Sequence, residues 1–268
     1  MDFTETNDYL LSKQGKIIHQ IWFGTFPTKK EAEKMFKKLA LYRHSWINKN
    51  PDWTHIIWNK SMCKKLLQLY YPEHLELFHS YKYDIQRCDM IRYFILYHYG
   101  GIYADMDYYC NNSFTKVLQK YNKSLYFVET KNSLLIHSIS NSLMYSVPNH
   151  PFWRKLFIEL EKAYENIPWY YSRHIQIMYS TGPSFLNRLY TRYQEPFDLH
   201  SFPARWFHPI GLDEHLLSLN NLDPKINAVH LGKGSWEHQD SKILIFFYCN
   251  YPIILFVILT LLLPYLLF

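Results

Sequence analysis

The pattern of apolar and polar residues is clearest over residues 84–107, DIQRCDMIRYFILYHYGGIYADMD. Between Asp84 and the pair Gly100-Gly101 there is no proline or glycine, and apolar side chains would lie on almost every side of a helix. The pattern therefore predicts a buried helix with Asp84 as its N-cap and the glycines at its end. The apolar residues 102–104 predict a short strand directly after it.

Segments on both sides of this stretch predict further elements. Predicted strands cover residues 16–23, 53–58, 125–130 and 197–209, and predicted helices cover residues 28–48, 61–80 with a break at Pro72, and 151–165. Thr28 and Glu31 form the capping-box pattern that opens the first of these helices. The strand–helix–strand–helix order at the start of the chain predicts an α/β fold with a parallel, Rossmann-like sheet.

The C-terminal residues 243–268 carry no charged residue over 26 positions. A helix rises about 1.5 Å per residue, so one of this length exceeds a hydrocarbon core about 30 Å thick. We therefore expect a globular domain over residues 1–242 and a C-terminal transmembrane helix, the single-pass anchor, over residues 243–268. The polar residues 1–15 do not resemble a signal peptide. Lys233 and Lys242 precede the apolar run, which predicts a cytosolic domain because flanking lysines prefer the cytoplasmic side.

Composition and charge narrow the classes of partner. The chain has 29 Lys and Arg against 23 Asp and Glu, for a formal net charge of +6, without a basic block. This argues against nucleic acid as a partner and suits phosphate-rich ligands or an anionic membrane surface. The 24 tyrosines, 18 phenylalanines and 8 tryptophans suit either a carbohydrate-handling surface or a packed core. The four cysteines form no C-x-x-C pair, so neither a zinc site nor a disulfide framework is predicted.

Asp89 and Arg92 place two charges on the buried helix. They lie three residues apart and therefore share one side of the helix. Burying charges is costly unless they find partners. The pair is either an internal ion pair that fixes the core or part of a binding site, and its spacing alone leaves both open.

Asp105 and Asp107 follow the predicted strand. Carboxylates two apart on a strand point to the same face, and open α/β sheets bind ligands beyond the carboxyl ends of their strands. Hard oxygen ligands suit Mg²⁺ or Mn²⁺, which also bind phosphate oxygens. A D-x-D pattern alone is weak support, but it is more specific after a D-x-x-R helix and a Gly-Gly turn.

These segments together resemble the signature of glycosyltransferase family 32. They are Asp89-Met-Ile-Arg92-Tyr, Tyr99-Gly-Gly-Ile-Tyr103 and Asp105-Met-Asp107. The family includes the fungal mannosyl-inositol-phosphoceramide synthases and the initiating α-1,6-mannosyltransferases. The resemblance extends over roughly residues 16–236. It implies a GT-A-type, Rossmann-like mixed sheet flanked by helices, a nucleotide-sugar donor, a divalent metal and retention of anomeric configuration.

The resemblance also implies roles for residues at matching positions. It implies Asp105, Asp107 and His230 as metal ligands, Trp22, Tyr103, Asp105, Asn141, Ser235 and Trp236 as donor-binding residues, and Asp89 and Arg92 as catalytic residues. The alternatives are a core ring for Trp22, an ordinary turn residue for Asn141 and a histidine with protein partners for His230. His19 is expected to be a core histidine. Thr181-Gly182-Pro183 resembles a segment near the acceptor side of relatives, although glycine and proline before a helix also account for it.

The function implied by the resemblance is transfer of a hexose, with mannose expected, to a membrane lipid or glycan. The donor would be GDP-mannose or a UDP-sugar, and the cofactor Mn²⁺ or Mg²⁺. Two alternatives stay open, a catalytically silent carbohydrate- or membrane-binding protein and a sugar-nucleotide hydrolase. The sequence does not single out a protein nucleophile.

Overall fold

The computed structural model describes residues 3–130, 138–210 and 219–232, together with residues 240 and 243. The strands are β1 Ile17–Ile21, β2 Thr54–Trp58, β3 Gly101–Ala104, β4 Tyr108–Cys110, β5 Leu125–Thr130, β6 Ser138–Ser146, β7 His200–Phe202 and β8 Ala228–His230. The helices are α1 Phe3–Leu11, α2 Lys29–Lys38, α3 Ala40–Lys49, α4 Lys60–Tyr70, α5 Leu75–Ser80, α6 Asp84–Tyr99, α7 Phe114–Tyr121, α8 Pro151–Asn166, α9 Arg173–Ser180, α10 Pro183–Tyr193 and α11 Ala204–Phe207.

A six-stranded mixed sheet organises the described part of the chain, in the order β2-β1-β3-β6-β5-β7. β1 is parallel to both β2 and β3, as the order of the first elements predicts. β6 runs antiparallel to β3 and β5, so the sheet is mixed rather than parallel throughout. A separate two-stranded sheet pairs β4 with β8. The α/β class with a mixed sheet flanked by helices is confirmed.

The buried helix is present as α6, with one correction at its start. Tyr83 occupies the N-cap, and Asp84 is the first helical residue. The Asp84 carboxylate instead bonds to Lys60 and Arg87, each at 2.7 Å. Most of the helix is buried, and Phe94 stacks on Phe157 of α8 with ring centroids 3.9 Å apart.

The two glycines after α6 are required by geometry. Gly100 has φ +64° and Gly101 has φ +92°, a region that side-chain-bearing residues rarely adopt. A Cβ atom on Gly101 would lie 2.2 Å from the carbonyl oxygen of Ile17. The Gly100 carbonyl oxygen lies 2.9 Å from Nε2 of the buried His19. The close pairing of β3 with β1 therefore depends on glycine at position 101.

His19 is the buried core histidine that the sequence predicts. Trp58 Nε1 donates to His19 Nδ1 at 3.1 Å, so the imidazole carries its proton on Nε2 and donates it to Gly100. Burial lowers the pKa of His19 to about 3. The neutral ring thus ties β1, β2 and the α6–β3 turn together.

Two sequence predictions of elements were wrong, and one strand was missed. The helix over residues 28–48 is two helices, α2 and α3, that meet at Leu39, although the capping box at Thr28 and Glu31 is confirmed. The predicted strand 197–209 is reduced to β7 because Pro203 lacks an amide N–H and lies at the N-cap of α11. Strand β6 was not predicted, since its sequence SISNSLMYS is rich in serine rather than in β-branched or aromatic residues.

The core occupies both faces of the six-stranded sheet. Ile17 packs into one hydrophobic cluster and the next residue, Ile18, packs into the other, as the alternation of side chains along a strand requires. α6, α8 and α10 contribute to the cluster that contains Ile17. α3, α7 and α11 contribute to the cluster that contains Ile18.

Within the described residues, no helix is long and apolar enough to span a bilayer. Apart from Ile243, the predicted anchor at 243–268 lies outside the described residues. The boundary between residues 242 and 243 stays a prediction.

Candidate functional site

The two aspartates of the D-x-D pattern lie in the turn between β3 and β4, directly after Ala104. They are not on the strand itself, which corrects the expectation that strand alternation aligns them. Two backbone bonds fix the turn: the Asp105 amide donates to Ser142 at 2.8 Å, and the Asp107 carbonyl accepts from Leu231 at 3.2 Å. The turn therefore holds both carboxylates at the carboxyl end of β3, the edge that the sequence predicts.

The β4–β8 pairing brings His230 to these aspartates. Its register places His230 opposite Tyr108, and the two rings stack with centroids 4.7 Å apart. His230 Nε2 lies 3.1 Å from Asp107 Oδ1. One ligand atom each from Asp105, Asp107 and His230 lies within 4.8 Å of the others. The structure thus brings together the three residues expected as metal ligands.

The chemistry of this cluster fits a divalent cation. The side chains of Asp105, Asp107 and His230 are 27%, 16% and 18% exposed, so they are sheltered but reachable from solvent. Two carboxylates suit Mg²⁺ or Mn²⁺, and the imidazole favours the transition metal of the two. Burial alone would lower the pKa of His230, but the adjacent Asp107 carboxylate outweighs burial and raises it above its ordinary value. A cation at His230 would therefore compete with a proton for the ring nitrogen.

His208 is a site residue that the sequence analysis missed. Its Nε2 lies 3.1 Å from Nδ1 of His230, on the opposite side of the ring from Asp107. Burial lowers the pKa of His208 to about 3, so it is neutral and can accept the Nδ1 proton of His230. That bond leaves Nε2 of His230 directed at the carboxylates. No sequence signal marks His208, because the contact joins segments 22 residues apart.

Arg92 is buried beside the cluster and fully engaged. Only 3% of its surface is exposed, and its Nη2 lies 2.8 Å from Asp89 Oδ1. Nη1 donates to Asp105 Oδ1 at 3.1 Å and to the carbonyl of Asn141 at 2.8 Å. The guanidinium lies over the Tyr103 ring, 4.5 Å from its centroid. Arg92 therefore links the Asp89 of its own helix to the first aspartate of the D-x-D turn.

Tyr103 also acts on Asp105. Its hydroxyl donates to Asp105 Oδ1 at 2.6 Å, and only 2% of the residue is exposed. Both Arg92 and Tyr103 bond the same oxygen, which orients the carboxylate without occupying Oδ2. The predicted contact between Tyr103 and a donor stays a prediction.

Asp89 lies at the centre of a buried polar network. Its carboxylate accepts from Asn141 Nδ2 at 3.0 Å and from Thr181 Oγ1 at 3.3 Å, besides the ion pair with Arg92. Burial raises the pKa of Asp89 to about 6, against the opposing effect of Arg92. The internal ion pair that the spacing allows is thus present. Direct contact of Asp89 or Arg92 with a substrate remains a prediction.

Asn141 is not an ordinary turn residue and Trp22 is not a core ring, the two alternatives to a role in donor binding. Asn141 is a buried residue of strand β6 rather than a turn residue, and its Nδ2 also lies 3.0 Å from the Tyr93 hydroxyl. Trp22 is only partly buried and packs against Phe26 and Phe36, with centroids 5.6 and 5.5 Å away, so it is not a core ring. Contact of either residue with a donor stays a prediction. Ser235 and Trp236 lie outside the described residues.

Two known protein families match segments of the chain that contain residues of this site. Residues 37–125 match the family described as a glycosyltransferase sugar-binding region containing the DXD motif. Residues 83–208 match the family described as capsular polysaccharide synthesis protein. The first match contains α6, β3 and both aspartates, and the second extends through His208.

Several of the relatives are fungal proteins. Inositol phosphoceramide mannosyltransferase 2 of Schizosaccharomyces pombe is 32% identical over 230 residues, covering 86% of this chain and 60% of the relative. Mannosyl phosphorylinositol ceramide synthase CSH1 of Saccharomyces cerevisiae is 37% identical over 179 residues, covering 67% and 43%. Synthase SUR1 of the same yeast is 35% identical over 230 residues, covering 85% and 53%. The chain spans about half the length of these relatives. The resemblance to glycosyltransferase family 32 is confirmed, and residues 37–125 carry the glycosyltransferase sugar-binding region that contains the DXD motif.

Proposed function

We propose that this chain is a metal-dependent, retaining glycosyltransferase of the GT-A type. It moves a hexose, with mannose as the expected sugar, from a nucleotide sugar to a membrane lipid that carries an inositol phosphate headgroup. The observation that carries the proposal is the convergence of Asp105, Asp107 and His230 at the carboxyl end of β3. The names of the fungal relatives support mannose and the inositol-containing lipid.

The three converging side chains would hold Mn²⁺, or Mg²⁺ in its place. When bound there, the cation neutralises charge on the departing nucleoside diphosphate. Arg92 and Tyr103 keep the Asp105 carboxylate in one orientation through their bonds to Oδ1. His208 keeps His230 in one tautomer. Holding the ligands in place before substrate arrives lowers the reorganisation needed during the reaction.

Roles for the remaining expected residues are part of the proposal. Asp89 would hold sugar hydroxyls, and Arg92 would add positive potential at the diphosphate. Trp22 would stack on the base. Asn141 would contact the donor sugar through the carbonyl side of its amide or after rearrangement, since its Nδ2 is bonded to Asp89. Ser235 and Trp236 would contact the diphosphate. The donor is GDP-mannose or a UDP-sugar.

One assay separates this function from its alternatives. Purified full-length chain is incubated with Mn²⁺ and GDP-mannose or UDP-sugars, with and without inositol phosphoceramide in vesicles. Glycolipid formed only when the lipid is present supports the proposal. Donor binding without turnover would identify a silent binding protein, and release of nucleoside diphosphate without acceptor would identify a hydrolase. Ceramide lacking the inositol phosphate is the matched acceptor control.

A further inference from the structure

The connection between α8 and α9 exposes three adjacent aromatic side chains. We call residues 167–172 the aromatic loop. Trp169 is 89% exposed, Tyr170 is 69% exposed and Tyr171 is 38% exposed. Soluble monomers seldom expose contiguous large apolar groups unless the patch has a partner. Tryptophan and tyrosine pair an apolar ring with a polar atom, which suits the boundary between water and lipid.

The backbone of the aromatic loop is held in place while its rings point outward. Gln176 Nε2 donates to the carbonyl of Trp169 at 3.3 Å and to that of Tyr171 at 2.6 Å. The Ser172 hydroxyl caps α9 by accepting from the Ile175 amide at 3.4 Å. The rings of Trp169 and Tyr170 meet edge to face, 5.9 Å between centroids. The exposure is thus a property of a hydrogen-bonded loop.

The N-terminus of α9 lies beside the chain that leads to the apolar C-terminal run. The carboxylate of Asp240 accepts from the His174 amide at 2.7 Å. Three residues later the uncharged stretch 243–268 begins. Three residues of extended chain span at most about 11 Å. If the run enters a bilayer, as the sequence predicts, the start of α9 and the aromatic loop before it lie within reach of the headgroup layer.

The other end of α9 reaches the candidate site. Thr181, directly after α9, donates through Oγ1 to Asp89 and accepts through its carbonyl from Tyr93 at 2.7 Å. α9 has 8 residues, which at about 1.5 Å each makes a helix about 12 Å long. One short helix therefore separates the aromatic loop from the Asp89–Arg92 network.

We propose that the aromatic loop inserts its rings into the headgroup region of the membrane and orients the site towards lipid acceptors. Its occupant is the bilayer itself. The inference rests on the proposed lipid acceptor and on the membrane anchor that the sequence predicts, and it adds a second contact that the anchor alone does not supply. A flexible anchor fixes only distance from the membrane, whereas an anchor and a rigid loop together restrict rotation of the domain.

Depth-dependent quenching of Trp169 tests this contact. Full-length protein is reconstituted into phosphatidylcholine vesicles with or without brominated acyl chains and recovered by flotation. The emission of Trp169 is obtained as the difference between the unsubstituted chain and W169F, because the chain has 8 tryptophans. We expect brominated lipid to quench this difference emission and vesicles to protect it from iodide. The same subtraction with W206F gives the control, which brominated lipid should leave unchanged.

The outcomes separate the loop from the anchor. Protein that fails to float refutes the anchorage and this inference with it. Two results in protein that floats would overturn the aromatic loop contact alone. In the first, Trp169 remains accessible to iodide. In the second, Trp169 is shielded from iodide but is not quenched by brominated lipid. The second of these results would mean that protein, from this chain or a second copy, covers the rings.

A functional variant provides an independent check. W169D/Y170D should lower transfer to lipid embedded in vesicles by about tenfold and leave transfer to a short-chain, water-soluble form of that lipid unchanged. Leu41→Asp on α3, at a residue 60% exposed, is the matched control and should change neither rate. Equal losses on both acceptors, or no loss on vesicles, would contradict the proposal.

Discussion

Arg92 contributes its guanidinium to two carboxylates at once, Asp89 at 2.8 Å and Asp105 at 3.1 Å. At the level of single residues, these two ion pairs explain why the sequence alone could not decide between a structural role and a binding role for Arg92. Spacing three apart predicts the pairing with Asp89, which shares its helix. It cannot predict the pairing with Asp105, because that contact depends on how β3 leaves the end of α6. Arg92 therefore connects the ion pair within α6 directly to the D-x-D turn.

Arg92→Ala tests the structural part of this role. Removing the guanidinium leaves the 3%-exposed Asp89 without its cation, and unpaired buried charge costs about 3–5 kcal/mol. We expect a lower melting temperature and a loss of transfer together. The control is Lys60→Ala, which breaks the ion pair between Lys60 and Asp84. Because Lys60 is 51% exposed, this variant should lose less than about 1 kcal/mol of stability. An Arg92→Ala protein that melts like the unsubstituted chain but does not turn over would favour a direct role in donor binding.

His208→Ala tests whether His208 positions His230. Without the acceptor at His208 Nε2, His230 can rotate or carry its proton on the other nitrogen. We expect Mn²⁺ affinity to fall about 10–100-fold, measured by titration with detection of free Mn²⁺ by electron paramagnetic resonance. His208→Gln, which retains an acceptor, should restore part of the affinity. Equal Mn²⁺ affinity in all three proteins would show that His230 needs no such support.

At the scale of elements, the sequence predicts what depends on local pattern. Helix α6, its glycine end and β3 follow from apolar periodicity and the Gly-Gly pair. The capping box at Thr28 predicts the start of α2. Strand β6 could not be predicted, because its serines are buried through tertiary contacts such as the bond from Asp105 to the carbonyl of Ser142. His230 was identified only through the family resemblance, since β4–β8 pairing joins distant segments.

Gly101→Ala tests the approach of β3 to β1. Gly15 and Gly101 both have positive φ, +78° and +92°, but only Gly101 has a backbone oxygen 2.2 Å from the position of a Cβ. We expect Gly15→Ala to cost about 1–2 kcal/mol from φ alone. Gly101→Ala should cost clearly more or prevent folding, because a strand must move. Chemical denaturation of both variants measures the difference, and equal costs would contradict the geometric argument.

At the scale of the whole molecule, orientation to the membrane remains a prediction from sequence. The uncharged run 243–268 with Lys233 and Lys242 before it predicts a membrane anchor and a cytosolic domain. Protease added to intact microsomes should then digest the domain and leave a small protected fragment. Detergent-permeabilised microsomes, in which that fragment is also lost, are the control. A fully protected domain would show the reverse orientation.

In the proposed function, Asp105, Asp107 and His230 hold a cation on which transfer depends. The most direct measurement compares the unsubstituted chain with Asp107→Ala for transfer to inositol phosphoceramide vesicles at saturating Mn²⁺. Asp107 lies in a turn after β3 and its side chain is outside the core, so Asp107→Ala should still fold cooperatively although it loses the bond to His230. We predict loss of transfer and of Mn²⁺ binding in a folded protein. Transfer near that of the unsubstituted chain in Asp107→Ala would show that the reaction does not depend on a cation held by Asp107.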